Sequence, residues 1–221
     1  MLVVHHLNNS RSQRVLWLLE ELEIPYEIKH YQRDLKTMLA PPELRAIHPL
    51  GKSPVITVDS GVLAETGAII DYIVARYGNG RLIPPPGTPE RLKWTYWLHY
   101  AEGSVMSPLL LMLVFQALPA RSPALLRGIV RGISQAAQSG FIEPQVKSHF
   151  DYLEAELGKT TWFAGNEFTA ADIMMSFPIE AAADRAKATT GRPNLKAWLD
   201  RIHARPAYQR ALERGGPYSY A

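Results

Sequence analysis

The sequence predicts an α/β domain built on a mixed four-stranded sheet, followed by an all-helical domain. Residues 1–80 combine short β-branched runs with amphipathic helical stretches. Residues 81–88 contain a proline and glycine cluster, which neither a helix nor a central strand tolerates. Residues 89–221 show helical periodicity without a convincing strand pattern. We therefore predict a first domain over 1–80, a linker over 81–88 and a helical domain over 89–221.

The first segment has the pattern strand, helix, strand. The apolar run 2–7 predicts a buried strand, which the polar residues 8–10 end. Apolar residues then recur at i, i+3, i+4 and i+7 and predict an amphipathic helix over 11–23. Pro25 ends this helix, and 26–31 alternates as a second strand. Because a helix crosses between the two strands, we expect them to pair in parallel.

The remainder of the first domain is predicted to be a short helix, a hairpin and a helix. The short helix covers 42–47, and the β-branched run Val55–Val58 is the first hairpin strand. The turn 59–61 contains a glycine, and the chain returns through 62–64. A helix then opens at Glu65 and Thr66, which completes the order β-α-β-α-β-β-α.

The second domain contains a long helical pattern and a helix-capping motif. Residues 90–118 form one continuous pattern, and 122–157 hold more helix with a break near Gly140. Thr169 and Asp172 have the spacing of a capping box, in which each residue's side chain bonds the other's backbone N–H. Two last helices are predicted over 193–204 and 206–213.

Composition excludes several classes of function. The net charge of +3 comes from interleaved residues, so nothing calls for a nucleic-acid partner. The sequence has no cysteine, which excludes disulfides, thiolate zinc sites and a cysteine nucleophile. The seven histidines lack metal-ligand spacing, so we predict no metal. The sequence has no run of about 18 uninterrupted apolar residues, so we predict no membrane span. The first residues lack a signal-peptide layout, and we expect a cytoplasmic protein.

The stretch around Pro54 allows two interpretations from its residues alone. Pro54 stands at the first position of a strand, where a missing N–H does least harm. With a trans bond the stretch is a plain hairpin; with a cis bond the Ser53 backbone is left at a sheet edge, where an extended peptide can pair. The helix that opens at Glu65 and Thr66 offers free N–H groups to a carboxylate.

The whole chain resembles the cytosolic glutathione S-transferases, of a bacterial or fungal type with a serine at the strand–helix corner. The resemblance rests on four stretches in the family's order: 10–22 (SRSQRVLWLLEEL), 49–55 (PLGKSPV), 65–69 (ETGAI) and 168–172 (FTAAD). It implies that the first domain is thioredoxin-like. It also implies that glutathione is the co-substrate and that the protein is a homodimer.

The resemblance implies roles for individual residues. Ser10 would contact the glutathione sulfur, and a cis Pro54 would present the Ser53 backbone to the cysteinyl part. Glu65 and Thr66 would hold the γ-glutamyl group, and Lys52 would approach the glycine carboxylate. Thr66 stands where the family usually has serine, and Ser53 where it usually has an aliphatic residue. The first change keeps a hydroxyl, and the second leaves a backbone contact intact.

The residues around the corner leave alternatives open. Ser10 is also a suitable helix N-cap. Asn8 and Ser12 are rival sulfur ligands, because a corner can present any of its small polar residues. Arg11 either assists the thiolate or forms a solvent-exposed ion pair.

The second substrate, a small hydrophobic electrophile, would bind between the domains. The candidate residues lie on the long helix after the linker, and their alternative is helix core or dimer interface: Tyr96, His99, Tyr100, Gly103, Met106 and Ser107. A glutathione S-transferase is the leading hypothesis. A glutathione-dependent peroxidase, isomerase or dehalogenase would share the glutathione site, and a non-catalytic binding module would need none of these residues.

Overall fold

The structure, a computed structural model, describes residues 1–34, 36–37 and 39–220. It confirms the predicted fold class: a four-stranded mixed sheet with helices, then a helical domain. The strands are β1 Val3–Leu7, β2 Glu27–Tyr31, β3 Val55–Val58 and β4 Gly61–Ala64. The helices are α1 Ser12–Glu21, α2 Pro42–Ile47, α3 Thr66–Tyr77, α4 Pro89–Tyr100, α5 Met106–Arg121, α6 Arg127–Ala137, α7 Glu143–Leu157, α8 Ala170–Ala186, α9 Pro193–His203 and α10 Pro206–Gly215.

The sheet has the order β2-β1-β3-β4. β1 and β2 are parallel, as a crossover helix requires, with Val4 opposite Ile28. β1 and β3 are antiparallel, with Val4 opposite Ile56, and β3 and β4 form the hairpin. The β1–α1 corner and the start of β3 therefore lie next to each other at one end of the sheet.

Helix α1 is shorter than predicted at both ends. It begins at Ser12 after Arg11, which is the N-cap residue but makes no side-chain cap bond. It ends at Glu21, and Glu23 has a φ of 55°, in the left-handed region that an α-helix cannot continue through. Nearly every residue of α1 is buried, because the helix packs on β1 and α3 on one side and on α8 and α10 on the other.

Two π-helical turns interrupt the long helices of the second domain. Ala101–Val105 joins α4 to α5, and Gln138–Ile142 joins α6 to α7. The break predicted near Gly140 is thus a wider turn within a continuous helix and not an end of one. Such turns often lie at functional sites, and the first of them carries Glu102 into the space between the domains.

The capping box at the start of α8 is confirmed. The Thr169 side chain accepts from the first turn of the helix, and the Thr169 N–H donates to Asp172 Oδ2 at 3.0 Å. Asp172 Oδ1 also accepts from the Phe163 N–H at 3.0 Å and from Trp198 Nε1 at 3.1 Å. The buried Asp172 therefore ties α8 and α9 to the loop before α8.

The helix Pro89–Arg121 meets the length and composition criteria for a membrane span, with a mean hydropathy of 1.6 in its most apolar window. Our sequence criterion did not select it, because polar residues interrupt the apolar run. Only 22% of that window is buried, so much of its apolar surface faces outward. Core helices of soluble proteins pass the same test, so length and composition alone place no membrane here.

Candidate active site

The β1–α1 corner holds a chain of close side-chain contacts. Ser10 Oγ lies 2.7 Å from Ser12 Oγ, and Ser12 Oγ lies 2.9 Å from His6 Nδ1. Ser10 Oγ also lies 3.2 Å from Ser53 Oγ, at the start of β3, and can donate to it. Ser12 is fully buried, whereas Ser53 is half-buried. Ser10 therefore stands between an enclosed serine and the half-buried Ser53 at the sheet end.

Ser10 also serves the start of α1. Its hydroxyl oxygen accepts from the Ser12 N–H at 3.2 Å, and its carbonyl oxygen accepts from the Gln13 N–H. Ser10 is not the N-cap residue, which is Arg11, but its hydroxyl satisfies the first N–H of α1 while also contacting Ser53.

The peptide bond between Ser53 and Pro54 is cis. The Ser53 hydroxyl donates to the His5 carbonyl oxygen at 3.2 Å. Within the described residues, no hydrogen bond is found at the Ser53 backbone N–H or C=O. These two groups are available to the backbone of an extended peptide.

The start of α3 combines a strained residue with a buried hydroxyl. Glu65, the N-cap of α3, has a φ of 71°, a conformation that costs a non-glycine residue roughly 1–3 kcal/mol. Its carboxylate is exposed, whereas Thr66 is buried and its Oγ1 accepts from Arg14 Nη2 at 3.2 Å. Strain of this kind concentrates at ligand sites.

Arg14 connects three elements at the domain boundary. Its side chain is only 1% exposed, and its Nη1 donates to the Met174 carbonyl oxygen of α8 at 2.6 Å. Its Nη2 donates to Glu102 Oε1 on the first π-helical turn as well as to Thr66. A buried cation needs such a set of partners, because an unpaired charge in this environment is very costly.

Glu102 balances two arginines of the corner. Besides Arg14, its carboxylate contacts Arg11 Nε at 3.3 Å. Burial acts to raise the pKa of Glu102, but the charges of Arg14 and Arg11 outweigh it and hold that pKa below its usual value. Burial lowers the pKa of Arg11, while Glu102 and the nearby Glu65 act to raise it. Arg11 therefore lies within the charge network of the site.

Asn8 and Lys52 lie apart from the contacts among Ser10, Ser12 and His6. The side-chain oxygen of Asn8 accepts from the Arg33 N–H at 2.9 Å, so it faces the loop after β2. Lys52 is exposed just before Ser53. Of the corner residues, Ser10, Ser12 and Ser53 are brought together.

The six candidate electrophile residues separate into two groups. Tyr96 and Tyr100 pack with Trp97 and Tyr152, and the Tyr100 hydroxyl lies 2.5 Å from His149 Nδ1 on α7. This aromatic cluster lies on the α7 side of the long helix. The second group, which lies outside this aromatic cluster, contains His99, Gly103, Met106 and Ser107. Across the described parts of the chain, no hydrogen bond, ion pair or ring contact joins any of the six to Ser10.

The C-terminal residues fold back toward the corner. The Ser219 N–H and hydroxyl both donate to Asn9 Oδ1, at 2.9 and 3.0 Å. The Tyr218 hydroxyl donates to the buried Glu180 at 2.8 Å. The Tyr220 ring packs at 5.6 Å on Phe177, whose ring also lies beside the Arg11 guanidinium. These contacts place aromatic side chains over the domain boundary next to Arg11.

The contacts of Arg14, Glu102 and His6 at the site were not predicted from the sequence. Glu102 is the last acidic residue before Glu143, so it stands alone in a long apolar stretch. A buried carboxylate in an apolar helix needs a cationic partner. The isolated position of Glu102 in the sequence could therefore have predicted such a partner. His6 gave no such signal, because its partner Ser12 is found only when the corner is folded.

No metal centre is evident in the part of the chain that the structure describes: no group of three or more His, Asp or Glu residues is placed to hold an ion. The polar groups of the corner are instead hydroxyls, backbone amides and two guanidinium groups. These suit a small anionic ligand with a peptide backbone.

Comparison with known proteins identifies the family. Residues 1–75 match the family model described as glutathione S-transferase, N-terminal domain, and residues 134–206 match its C-terminal domain. Glutathione S-transferase 3 of Schizosaccharomyces pombe is 36% identical, over 97% of this chain and 88% of the relative. Glutathione S-transferase 1 of Saccharomyces cerevisiae is 34% identical, over 96% and 94%.

A solved structure agrees with the sequence relatives. The glutathione S-transferase from Actinobacillus pleuropneumoniae superposes with a TM-score of 0.82 at 32% identity, over 97% of this chain and 93% of that one. Its fold is the combination of mixed sheet and helical domain described above. The chain therefore belongs to the glutathione S-transferase family and is an enzyme that uses glutathione as a substrate.

Proposed function

We propose that this enzyme holds the glutathione thiolate with the Ser10 hydroxyl and conjugates it to small hydrophobic electrophiles. The observation that carries this proposal is the position of Ser10 between Ser12 and Ser53. Ser12 is fully buried and Ser10 is itself only 3% exposed, but Ser10 is the one that contacts the half-buried Ser53. The Asn8 side chain is engaged by Arg33. Ser10 is therefore the better candidate among the three rivals for the sulfur.

The remaining groups of glutathione have suitable partners near the end of the sheet where β3 begins. The unpaired Ser53 backbone beside Pro54 suits the cysteinyl backbone. The Thr66 hydroxyl accepts from Arg14, so its own proton remains to donate to the γ-glutamyl carboxylate. The exposed Glu65 carboxylate suits the γ-glutamyl ammonium group, and Lys52 suits the glycine carboxylate.

The chemistry needs a lower thiol pKa. A free thiol titrates near 8.5, and lowering that value by two units requires roughly 2.7 kcal/mol. A hydrogen bond to a charged group contributes about 1.5–3 kcal/mol, and a helix N-terminus about 0.3–1 kcal/mol. The Ser10 hydroxyl can supply the hydrogen bond, and the adjacent N-terminus of α1 can supply the favourable field. Together they are sufficient, so no general base is required.

The test is a pH titration of the ultraviolet thiolate absorbance of bound glutathione in the wild type and in Ser10→Ala. We expect a thiol pKa about one to two units below that of free glutathione in the wild type, and a value close to the free one in the variant. Ser134→Ala is the matched control, because Ser134 is equally buried but lies on α6 and its hydroxyl has no partner within the described residues. The control should titrate like the wild type.

Two results would argue against this role of Ser10. An equally low thiol pKa in both proteins would move the role to another corner group or to the helix end. Unchanged turnover of an aryl halide by Ser10→Ala would do the same. Binding of glutathione without conjugation of aryl or alkyl halides and without reduction of peroxides would instead favour a non-catalytic protein.

For the electrophile we propose the boundary next to Arg11. Met106 follows Glu102 by about one helical turn, so both face the same side of the long helix. Phe177 and Tyr220 provide aromatic surface next to Arg11. Tyr100 packs instead on Tyr152 of α7 and is buried in the helical domain. Tyr96 stacks on Tyr100 but is 44% exposed.

We also propose that the enzyme is a homodimer. Helices α5 and α6 pack against each other, and these helices and the turn Ala124–Leu126 between them leave apolar side chains exposed: Leu110, Val114, Leu118, Leu125, Ile129 and Ile133. Apolar surface of this extent usually marks a protein interface. A second copy that presents the same stripes would bury them as the core of a helix bundle.

A further inference from the structure

The Arg11 guanidinium is only partly used by the protein. Its side chain is 37% exposed, and its Nε contacts Glu102 Oε2 at 3.3 Å. Nε is buried without a hydrogen bond, and within the described parts of the chain no hydrogen bond reaches the two terminal nitrogens either. The terminal nitrogens are not enclosed, so their N–H groups are accessible at the domain boundary.

The carboxylate that Arg11 contacts is shared between two cations. Arg14 Nη2 is the closer partner of Glu102 and donates to its other oxygen. Burial lowers the pKa of Arg11, and the like charge of Arg14 acts in the same direction against Glu102 and Glu65. In the proposed glutathione pose, Glu65 pairs with the γ-glutamyl ammonium group. The positive charge of Arg11 is then left without a full counter-charge.

Aromatic rings lie beside this cation. The centre of the Phe177 ring is 5.5 Å from the Arg11 guanidinium carbon, and the Tyr220 ring packs edge-on at 5.6 Å on Phe177. Arg185 lies over the Tyr220 ring at 5.0 Å and adds a further positive charge. Phe177 is buried and Tyr220 is half-buried, so Tyr220 provides the accessible aromatic surface. An aromatic ligand on this surface would lie next to the Arg11 fork.

We propose that Arg11 is a specificity-determining residue that binds the anionic substituent of an aromatic electrophile, such as a carboxylate on the ring. This inference rests on the proposed function, which places the electrophile next to Arg11. A guanidinium presents two parallel N–H groups that match the two oxygens of a carboxylate. The substituent would supply the negative charge that the two arginines sharing Glu102 lack.

An anionic electrophile needs such a cation for a second reason. Bound glutathione thiolate carries two carboxylates and the sulfur charge against one ammonium group, so it repels another anion. Arg11 offsets this repulsion in the proposed arrangement. Without Arg11, a neutral electrophile of the same shape should be preferred. A comparison of an acid with its own amide therefore isolates the contribution of Arg11.

The first measurement is equilibrium binding by calorimetry, with S-methylglutathione in the glutathione site. This ligand has no thiol, so the result does not depend on thiolate formation at Ser10. We expect the wild type to bind meta-nitrobenzoate about tenfold more tightly than meta-nitrobenzamide, the lower end for a charge-assisted hydrogen bond, because Arg11 is partly exposed. Arg11→Met should lose this preference. Equal binding of the acid and the amide by the wild type would overturn the inference.

The second measurement is turnover of para-chloro-meta-nitrobenzoate and of its amide. In both, the glutathione sulfur bonds to the ring carbon that carries chlorine, and chloride leaves with the electron pair of the broken bond. Each kcat/KM is divided by the rate constant of the uncatalysed reaction with glutathione, which removes the difference in ring reactivity. The resulting acid-to-amide ratio should fall about tenfold in Arg11→Met, and Arg11→Lys, which keeps the charge but not the fork, should retain part of it.

Arg91→Met is the matched control. Arg91 also lies over an aromatic ring, that of Trp94 at 4.9 Å, but it is on α4 and donates to the Pro84 carbonyl oxygen. Its acid-to-amide ratio should equal that of the wild type. If Arg11→Met slows both substrates equally, Arg11 assists the thiolate instead and the inference is overturned.

The wild type provides a test that needs no folded variant. A partly exposed ion pair is screened by salt, so the acid-to-amide ratio should decrease as the salt concentration rises. A ratio that does not depend on salt would contradict a role for the Arg11 charge. Circular dichroism of each variant checks that a lost preference does not come from a lost fold.

The outcomes separate this inference from the proposed function. A change in thiolate formation alters both substrates equally and cancels in the ratio, so Ser10→Ala should slow both reactions at an unchanged ratio. If Ser10→Ala turns over both substrates like the wild type, the proposed role of Ser10 fails, and tighter binding of the acid that is lost in Arg11→Met still supports the inference. If Ser10→Ala is slow but Arg11→Met keeps the wild-type ratio, only the inference on Arg11 fails.

Discussion

The ion network at the domain boundary leads to a quantitative prediction for Glu102→Gln. Loss of one partner from a buried pair typically costs about 3–5 kcal/mol, because the other charge stays buried. Here the Glu102 side chain is 29% exposed, and Arg14 keeps its bonds to Met174 and Thr66. We therefore expect the free energy of unfolding to decrease by about 2 kcal/mol, which is about half of the cost for a fully buried pair. For a chain of this length, this corresponds to a decrease of about 4–8 °C in Tm.

The assay is differential scanning calorimetry of Glu102→Gln beside a matched surface variant. Asp200→Asn is suitable, because Asp200 pairs with Lys196 at 2.7 Å but both side chains are about two-thirds exposed. That variant should change the stability by at most about 0.5 kcal/mol. A decrease in Tm for Glu102→Gln that is no larger than for Asp200→Asn would refute the argument that Arg14 depends on this carboxylate.

A double-mutant cycle checks the same reasoning in another way. The cost of Glu102→Gln is expected to arise from the unbalanced Arg14 cation. The double variant Glu102→Gln with Arg14→Met should therefore lose less stability than the sum of the two single variants. The expected coupling is about 1–2 kcal/mol, within the range of residues in direct contact. Additive losses would mean that Glu102 stabilises the boundary without Arg14.

Three further predictions follow from the structure. Asp172→Ala removes the acceptor of several buried donors and should cost about 3 kcal/mol in urea unfolding, against about 1 kcal/mol for Thr169→Ala, which loses only a cap bond. His6 has its pKa lowered to about 4 in the folded protein, so the unfolded state binds the extra proton between pH 6.5 and 4. Stability should therefore fall by about 3 kcal/mol as the pH decreases through that window, and this part of the loss should be absent from His6→Phe. Val114→Glu combined with Ile129→Glu, on the exposed stripes of α5 and α6, should convert a dimer to a monomer in analytical ultracentrifugation, and an unchanged mass would place the interface elsewhere.

Local sequence patterns were sufficient for most of the fold. The bounds of α2 and β3 agree with the predicted ones, because each is delimited by nearby proline or turn residues. Several other bounds, those of β1 and β2 among them, shift by a few residues. At α1 and the π-helical turns the difference has a physical reason, since a positive φ at Glu23 and a wider turn at Gly140 depend on packing that periodicity does not contain. The linker bounds and the cytoplasmic location stay predictions.

The site was predictable only where its residues lie close together in the chain. Ser53, Pro54 and Thr66 belong to short motifs, so their place beside the corner followed from the order of the elements. Arg14 and Glu102 are 88 residues apart and meet only across the domain boundary.

Helix α1 explains why stability and the proposed chemistry share the same residues. At its start, Arg14 binds α8 through the Met174 carbonyl. At its end, Glu20 accepts from Arg210 at 2.9 Å and from Arg214 at 2.8 Å, both on α10. The helix that positions Ser10 is thus clamped to the helical domain at both ends. Because a sulfur and an electrophile react only at a near-attack distance, a rigid connection between Ser10 and the second domain preserves the geometry that conjugation needs. We therefore expect the charges of Arg14 and Glu20 to act on reactivity through the position of α1.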